Sequence, residues 1–138
     1  YHTIQKYNNV DCVVMNETEL RQELRDKNEK TLLLAKKLSS MININKIIIT
    51  KGSCGALLYN SKNKKFFDCP AFASKVVDKV GAGDSMLSII AILIKLKFDN
   101  LIALLLSSLA AALTVEEMSN KVPINKTKLL KYFFHILK

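Results

Sequence analysis

The 138-residue chain carries 21 Lys and Arg against 12 Asp and Glu, a net charge of +9 at neutral pH, and 49% of its residues are hydrophobic. That apolar content excludes a disordered chain, and the length suits one domain with a real core. The lysines are spread along the chain and aromatics are few, which argues against a nucleic-acid surface; a phosphorylated small ligand would draw on the same sign of charge.

In chain order, Asp11-Cys12-Val13-Val14-Met15 is a brief continuous apolar run ending at Asn16, suited to a strand of a parallel sheet covered on both faces. Asn16-Glu17-Thr18-Glu19 opens a helix through Leu20 and Leu24, capped by Asn16 or Thr18, with first-turn acids that suit the dipole. Residues 29–40 read as a second helix with Leu33, Leu34 and Leu38 on one side, and Ile47-Ile48-Ile49-Thr50 as the next buried strand. Strand, helix, strand predicts an α/β sheet. Lys51-Gly52-Ser53-Cys54-Gly55 turns the chain into the strand Ala56-Leu57-Leu58-Tyr59. Residues 60–64 form a polar hairpin tip before Lys65-Phe66-Phe67 returns towards Pro70. The β-branched pair Val76-Val77 reads as a short strand leading into Gly81-Ala82-Gly83, after which a helix runs to Lys97. Phe98-Asp99-Asn100 breaks it. Residues 101–118 form a second long helix, rich in Ala and Leu and expected to be buried on most sides. Residues 119–123 are a loop and 125–137 a final helix.

The longest apolar run, residues 101–115, falls short of the ~20 residues a membrane span needs and includes Ser107 and Ser108, so no membrane helix is expected. Cys12, Cys54 and Cys69 are odd in number and lie in no metal-like spacing; Cys12 reads as a small core residue, and a reducing, cytoplasmic setting follows. The chain opens on Tyr1 rather than Met, so it is expected to be a piece of a longer product.

Chemistry gathers at three turns, residues 16–19, 50–55 and 78–84, each expected to follow an apolar strand. Ligands of open α/β sheets collect beyond the carboxyl ends of the strands, so the three are expected to face one crevice. Each turn also has a purely structural reading: Asn16 and Thr18 as helix caps, Gly52 and Gly55 as tight-turn residues, and Asp84 as a first-turn acid serving the helix dipole, worth ~0.3–1 kcal/mol. In the third turn, two glycines two residues apart let the backbone bend tightly and approach a ligand. The N–H groups that start the following helix make an anion site. Asp84 is the one side chain there able to take a proton. Together these features point to a place where a phosphate is transferred.

The order of these motifs resembles the ribokinase-like, or pfkB, family of carbohydrate kinases. Asp78-Lys79-Val80-Gly81-Ala82-Gly83-Asp84 matches the family signature D-T-x-G-A-G-D except that Lys79 replaces Thr. Asn16-Glu17-Thr18-Glu19 fits the N-x-x-E motif, and Thr50-Lys51-Gly52-Ser53-Cys54-Gly55 the T-x-G-x-x-G turn near the nucleotide phosphates. Residues 110–115 look like the segment bordering the adenine, with Ser108 where the family usually has Asn. Within the family the sequence looks most like the heptose-phosphate-kinase-related proteins.

The resemblance implies a ribokinase-like fold, a Rossmann-like three-layer α/β/α sheet, with residues 1–138 as its C-terminal nucleotide-binding half and the substrate lid missing. It implies ATP and Mg2+ as cofactors and leaves room for a monovalent cation. Asp84 would be the general base for a sugar hydroxyl, and the N–H groups of Gly81, Ala82 and Gly83 an anion hole. Asn16, Glu19, Thr50, Gly52, Gly55, Asp78, Lys79 and Ser108 would serve the nucleotide, with Glu19 reaching the magnesium through water. The partners implied are a sugar or sugar phosphate, the N-terminal half of the kinase and, for apolar faces left uncovered, a second copy. By itself the chain is expected to have little sugar kinase activity. A vitamin or nucleoside kinase relative, and a non-catalytic nucleotide-binding or assembly module, are the alternative readings.

Overall fold

A computed structural model describes residues 4–7, 9–116 and 124–136, and the chain divides into two compact units, residues 1–68 and 69–138. The expected loop at residues 119–123 and the end of the last helix at 137 lie outside the described residues.

In the first unit, β1 (Val10–Asn16) leads through α1 (Glu17–Leu24) and α2 (Thr31–Met41) to β2 (Ile44–Thr50), followed by β3 (Ala56–Asn60) and β4 (Lys65–Cys69). The sheet order is β1-β2-β3-β4. β1 and β2 are parallel, with Val13 opposite Ile47 and Asn16 opposite Thr50; β2 and β3 are antiparallel, with Ile48 opposite Leu58. The helical spacings of Leu20 with Leu24 and Leu34 with Leu38 put one stripe of each helix into a core with Met15, Ile47, Ile49, Leu57 and Tyr59. Ile48 and Leu58, which point the other way along their strands, are equally buried. That two-sided burial is why β2 reads as an unbroken apolar run. β2 begins three residues before the expected strand because Ile44 is buried while the intervening Asn45 and Lys46 are only half-covered. Cys12 is half-buried rather than a full core residue, and burial still pushes its thiol up to about 12.

In the second unit, α3 (Ala82–Lys95) and α4 (Asn100–Val115) pack together, and α5 (Lys126–Ile136) follows. Met86, Ile90 and Leu93 form the buried stripe of α3; Leu104, Leu109, Ala110 and Leu113 lie buried on α4. Asp99 caps α4, its carboxylate accepting from the N–H groups of Leu101 (2.8 Å) and Ile102 (3.3 Å). Leu101 and Ile102 are each 46% exposed, so the first turn of α4 is open where burial on most sides was expected.

The strand expected at Val76-Val77 does not form. These residues are 57% and 44% exposed, and the Val77 N–H donates to the Val115 carbonyl at 2.7 Å instead of joining a ladder. Two β-branched residues have a β preference, but a strand needs a neighbouring strand to pair with. Among the described residues no helix is long and apolar enough to cross a membrane.

Candidate active site

The parallel pairing of β1 with β2 brings two of the three turns together in the first unit, with Asn16 and Thr50 side by side at the carboxyl ends of adjacent strands. Asn16 is the N-cap of α1. Its side-chain oxygen accepts from the Glu19 N–H, and its own N–H donates to a Glu19 carboxylate oxygen, both at 2.8 Å. This is a complete capping box, so Asn16 rather than Thr18 is the cap, and the box fixes the direction of the Glu19 carboxylate.

Behind it, Glu17 receives the Thr31 hydroxyl and an Arg21 guanidinium N–H, the latter at 2.9 Å. The Thr31 bond, with Arg21 adding to it, holds the Glu17 carboxyl below the usual carboxylate range. Arg21 also donates to the carbonyls of Lys27 (3.1 Å) and Glu29 (2.9 Å), clamping the α1–α2 connection.

The turn after Thr50 closes on itself. The Lys51 N–H donates to the Gly55 carbonyl (2.8 Å) and the Gly55 N–H to the Gly52 carbonyl (3.1 Å). Gly52 has φ 59° and Gly55 φ 85° with ψ −142°, the latter a region essentially reserved for glycine. The Lys51 ammonium pairs with Asp68 of β4 at 2.7 Å, which ties the turn to the edge of its own sheet.

The second unit holds the third turn. Asp78 forms a local turn by accepting from the Val80 N–H at 2.9 Å, and exposed Lys79 lies between them. Gly81 sits at φ 82° as the N-cap of α3, with no side chain to cap the helix, and its carbonyl accepts the first helical bond from Ser85 at 2.9 Å. The N–H groups of Ala82, Gly83 and Asp84 therefore stand before the first carbonyl that α3 can offer. Gly83 is helical, and a methyl built on it meets nothing within 4 Å among the described residues, so neither backbone strain nor crowding by those residues asks for glycine there. Asp84 is exposed in the first helical turn, and its carbonyl accepts the Ser88 hydroxyl.

Ser108 lies on the buried side of α4, 9% exposed, with its hydroxyl 3.1 Å from the Cys69 sulfur. Among the described residues no group of three or more His, Cys, Asp and Glu is placed to hold a metal ion. The donor set fits a magnesium held through phosphate oxygens and water, which Mg2+ readily accepts. The Arg21–Glu17–Thr31 cluster and the Lys51–Asp68 pair were not among the residues expected from sequence. Only the i,i+4 spacing of Glu17 and Arg21 hinted at either.

A family model described as pfkB family carbohydrate kinase matches residues 2–127. No curated protein matches the chain. Among solved structures, phosphofructokinase-2 from Escherichia coli in complex with potassium superposes with a TM-score of 0.83 at 15% identity, covering 99% of this chain and 44% of that one. Ribokinase from Thermotoga maritima gives 0.78 at 22%, covering 97% and 45%. Ribokinase from Arabidopsis thaliana, complexed with ribose and ATP, gives 0.76 at 22%, covering 91% and 41%. These likenesses establish a ribokinase-like α/β fold, and the chain spans less than half the length of those proteins.

Proposed function

The chain belongs to the pfkB family of carbohydrate kinases, and from that premise we propose that it carries the nucleotide-binding and catalytic portion of an enzyme that transfers the γ-phosphoryl of ATP to a hydroxyl of a sugar or sugar phosphate. The observation that carries the proposal is the N-terminus of α3: no side chain among the described residues caps it, the space beside Gly83 is open among those residues, and a carboxylate stands in its first turn.

Asp84 takes the proton from the acceptor hydroxyl as that oxygen attacks the γ-phosphorus, and the bond to the β,γ-bridging oxygen breaks. A positioned base of this kind contributes ~10²–10⁴-fold. The N–H groups of Gly81, Ala82 and Gly83 hold the charge on the phosphoryl in transfer, where one donor is typically worth ~10²–10³ in rate. Thr50, Gly52 and Gly55 present backbone to the nucleotide phosphates, Asp78 and Lys79 flank the glycine turn, and Ser108 borders the adenine. Magnesium, reached by Glu19 through water, would neutralise phosphate charge. The residues that read the sugar and the lid that covers it belong to the N-terminal half of such a kinase, so residues 1–138 alone turn over little.

The experiment is a sugar and sugar-phosphate panel scored by acceptor-dependent ADP formation, with the chain alone and with the chain joined to the sequence upstream of it. Turnover with at least one sugar by the joined protein, and little by the chain alone, is expected. A joined protein that binds an ATP analogue yet phosphorylates no acceptor would place it instead among non-catalytic nucleotide-binding modules.

A further inference from the structure

Residues 70–81 form no helix or strand, yet they deliver the glycine turn, and ordering a residue without regular structure costs ~1–2 kcal/mol in backbone entropy. Their polar groups converge on two consecutive residues at the end of α4, Val115 and Glu116. The Val115 carbonyl accepts from the N–H groups of both Val77 (2.7 Å) and Asp78 (3.1 Å). One carboxylate oxygen of Glu116 accepts the Ser74 N–H (2.7 Å) and the Ser74 hydroxyl (2.9 Å), with the Tyr132 hydroxyl of α5 at 3.4 Å. The same Tyr132 hydroxyl donates to the Phe72 carbonyl at 2.8 Å. Burial, and then the nearby Glu116 carboxylate, raise the Tyr132 phenol, so it stays a donor through neutral pH.

We infer that Glu116 is a positioning residue for the Asp78–Asp84 turn: by gripping Ser74, while the Tyr132 hydroxyl holds the nearby Phe72 carbonyl, it pins the incoming segment onto the carbonyl end of α4 and so sets where the turn presents its amides. This rests on the reading of that turn as a phosphate cradle. The geometry favours a device over ordinary surface bonding for two reasons. The acceptor oxygen is charged, which roughly doubles the strength of its bonds. It also takes both bonds from Ser74, 42 residues away along the chain, at a single atom. Val115, one residue earlier, then holds the two residues at the entrance to the turn.

The test uses the 138-residue chain as parent, Glu116→Ala, Glu116→Gln and Tyr132→Phe. Backbone hydrogen exchange is followed at Val77 and Asp78 by NMR, alongside titration with a non-hydrolysable ATP analogue and Mg2+. Glu116→Ala is expected to speed exchange at Val77 and Asp78 roughly tenfold to a hundredfold, as loss of a hydrogen bond to a charged group implies, and to weaken the analogue by up to that factor. The first-unit amides should be unchanged. Glu116→Gln keeps a neutral acceptor oxygen at the same place and should restore about half of the lost free energy in both readouts, a partial rescue that a general loss of stability would not show. Tyr132→Phe, which removes only a hydroxyl, should give a smaller change at the same two amides and decides the matter if Glu116→Ala does not fold. Unchanged exchange at Val77 and Asp78, or acceleration spread evenly over both units, overturns the inference. If the parent binds no analogue, the phosphate reading fails and with it the service proposed for Glu116, while the local exchange result still reports whether Glu116 pins the segment.

Discussion

Replacing Gly83 with Ala separates what the fold needs from what a ligand needs. Gly83 is in the helical region inside α3, and an added methyl meets nothing within 4 Å among the described residues. The substitution therefore removes glycine's entropic disadvantage in a helix, ~0.5–1 kcal/mol, at no steric cost. For a domain near this size that corresponds to a melting midpoint about 2–4 °C higher per kcal/mol. The same methyl sits on one of the residues whose amides are proposed to meet phosphate oxygens. Losing one hydrogen bond to a charged group costs ~1.5–3 kcal/mol, or roughly tenfold to a hundredfold in affinity for an ATP analogue. Thermal melts followed by circular dichroism, paired with calorimetric titration of a non-hydrolysable ATP analogue, measure both. Gly81→Ala is the control of opposite sign. With φ at 82°, an added Cβ brings ~1–2 kcal/mol of left-handed strain and lowers the melt. A Gly83→Ala protein that melts lower than the parent, or melts higher and binds the analogue equally well, refutes the reasoning.

Three further outcomes follow from the first unit. Asn16→Ala removes the side-chain half of the capping box, leaving the backbone N–H of residue 16 to Glu19, and should cost ~1 kcal/mol, read as a lower urea midpoint with an unchanged slope. The Cys12 thiol, pushed up from 9.0 to about 12 by burial, stays protonated near neutrality, so iodoacetamide at pH 8 should label exposed Cys54 well before Cys12. Because the folded value is raised, the stability tied to that neutral thiol is fully present below the ordinary thiol value and is lost as pH climbs towards 12. Cys12→Ala should accordingly flatten the fall in stability between about pH 9 and 12. Equal labelling of the two thiols would show that β1 is far more open than its packing implies.

What could be read from sequence was local. The continuous run Cys12-Val13-Val14-Met15 and the triplet Ile47-Ile48-Ile49 announced two strands because each carries its own pattern. The Asn16–Glu19 box was legible because its partners are three residues apart. Gly52, Gly55 and Gly81 occupy left-handed conformations that their type foretells. Val76-Val77 misled because strand propensity says nothing about whether a partner strand is present, and here the backbone bonds go to the end of a helix. The grip of Glu116 on Ser74 and the pairing of Lys51 with Asp68 join distant positions, and no local spacing encodes them. Ser108 was legible as a departure from a family pattern, but its contact with Cys69 was not.

The central claim is that Asp84 acts as the base in phosphoryl transfer, and it is tested most directly by measuring γ-phosphate transfer from labelled ATP to a sugar acceptor for the chain completed by the N-terminal half proposed for it, with Asp84 and with Asp84→Asn side by side. The account predicts nucleotide-analogue affinities within about twofold and turnover lower by ~10²–10⁴ in the variant. Equal turnover by the two proteins would contradict it.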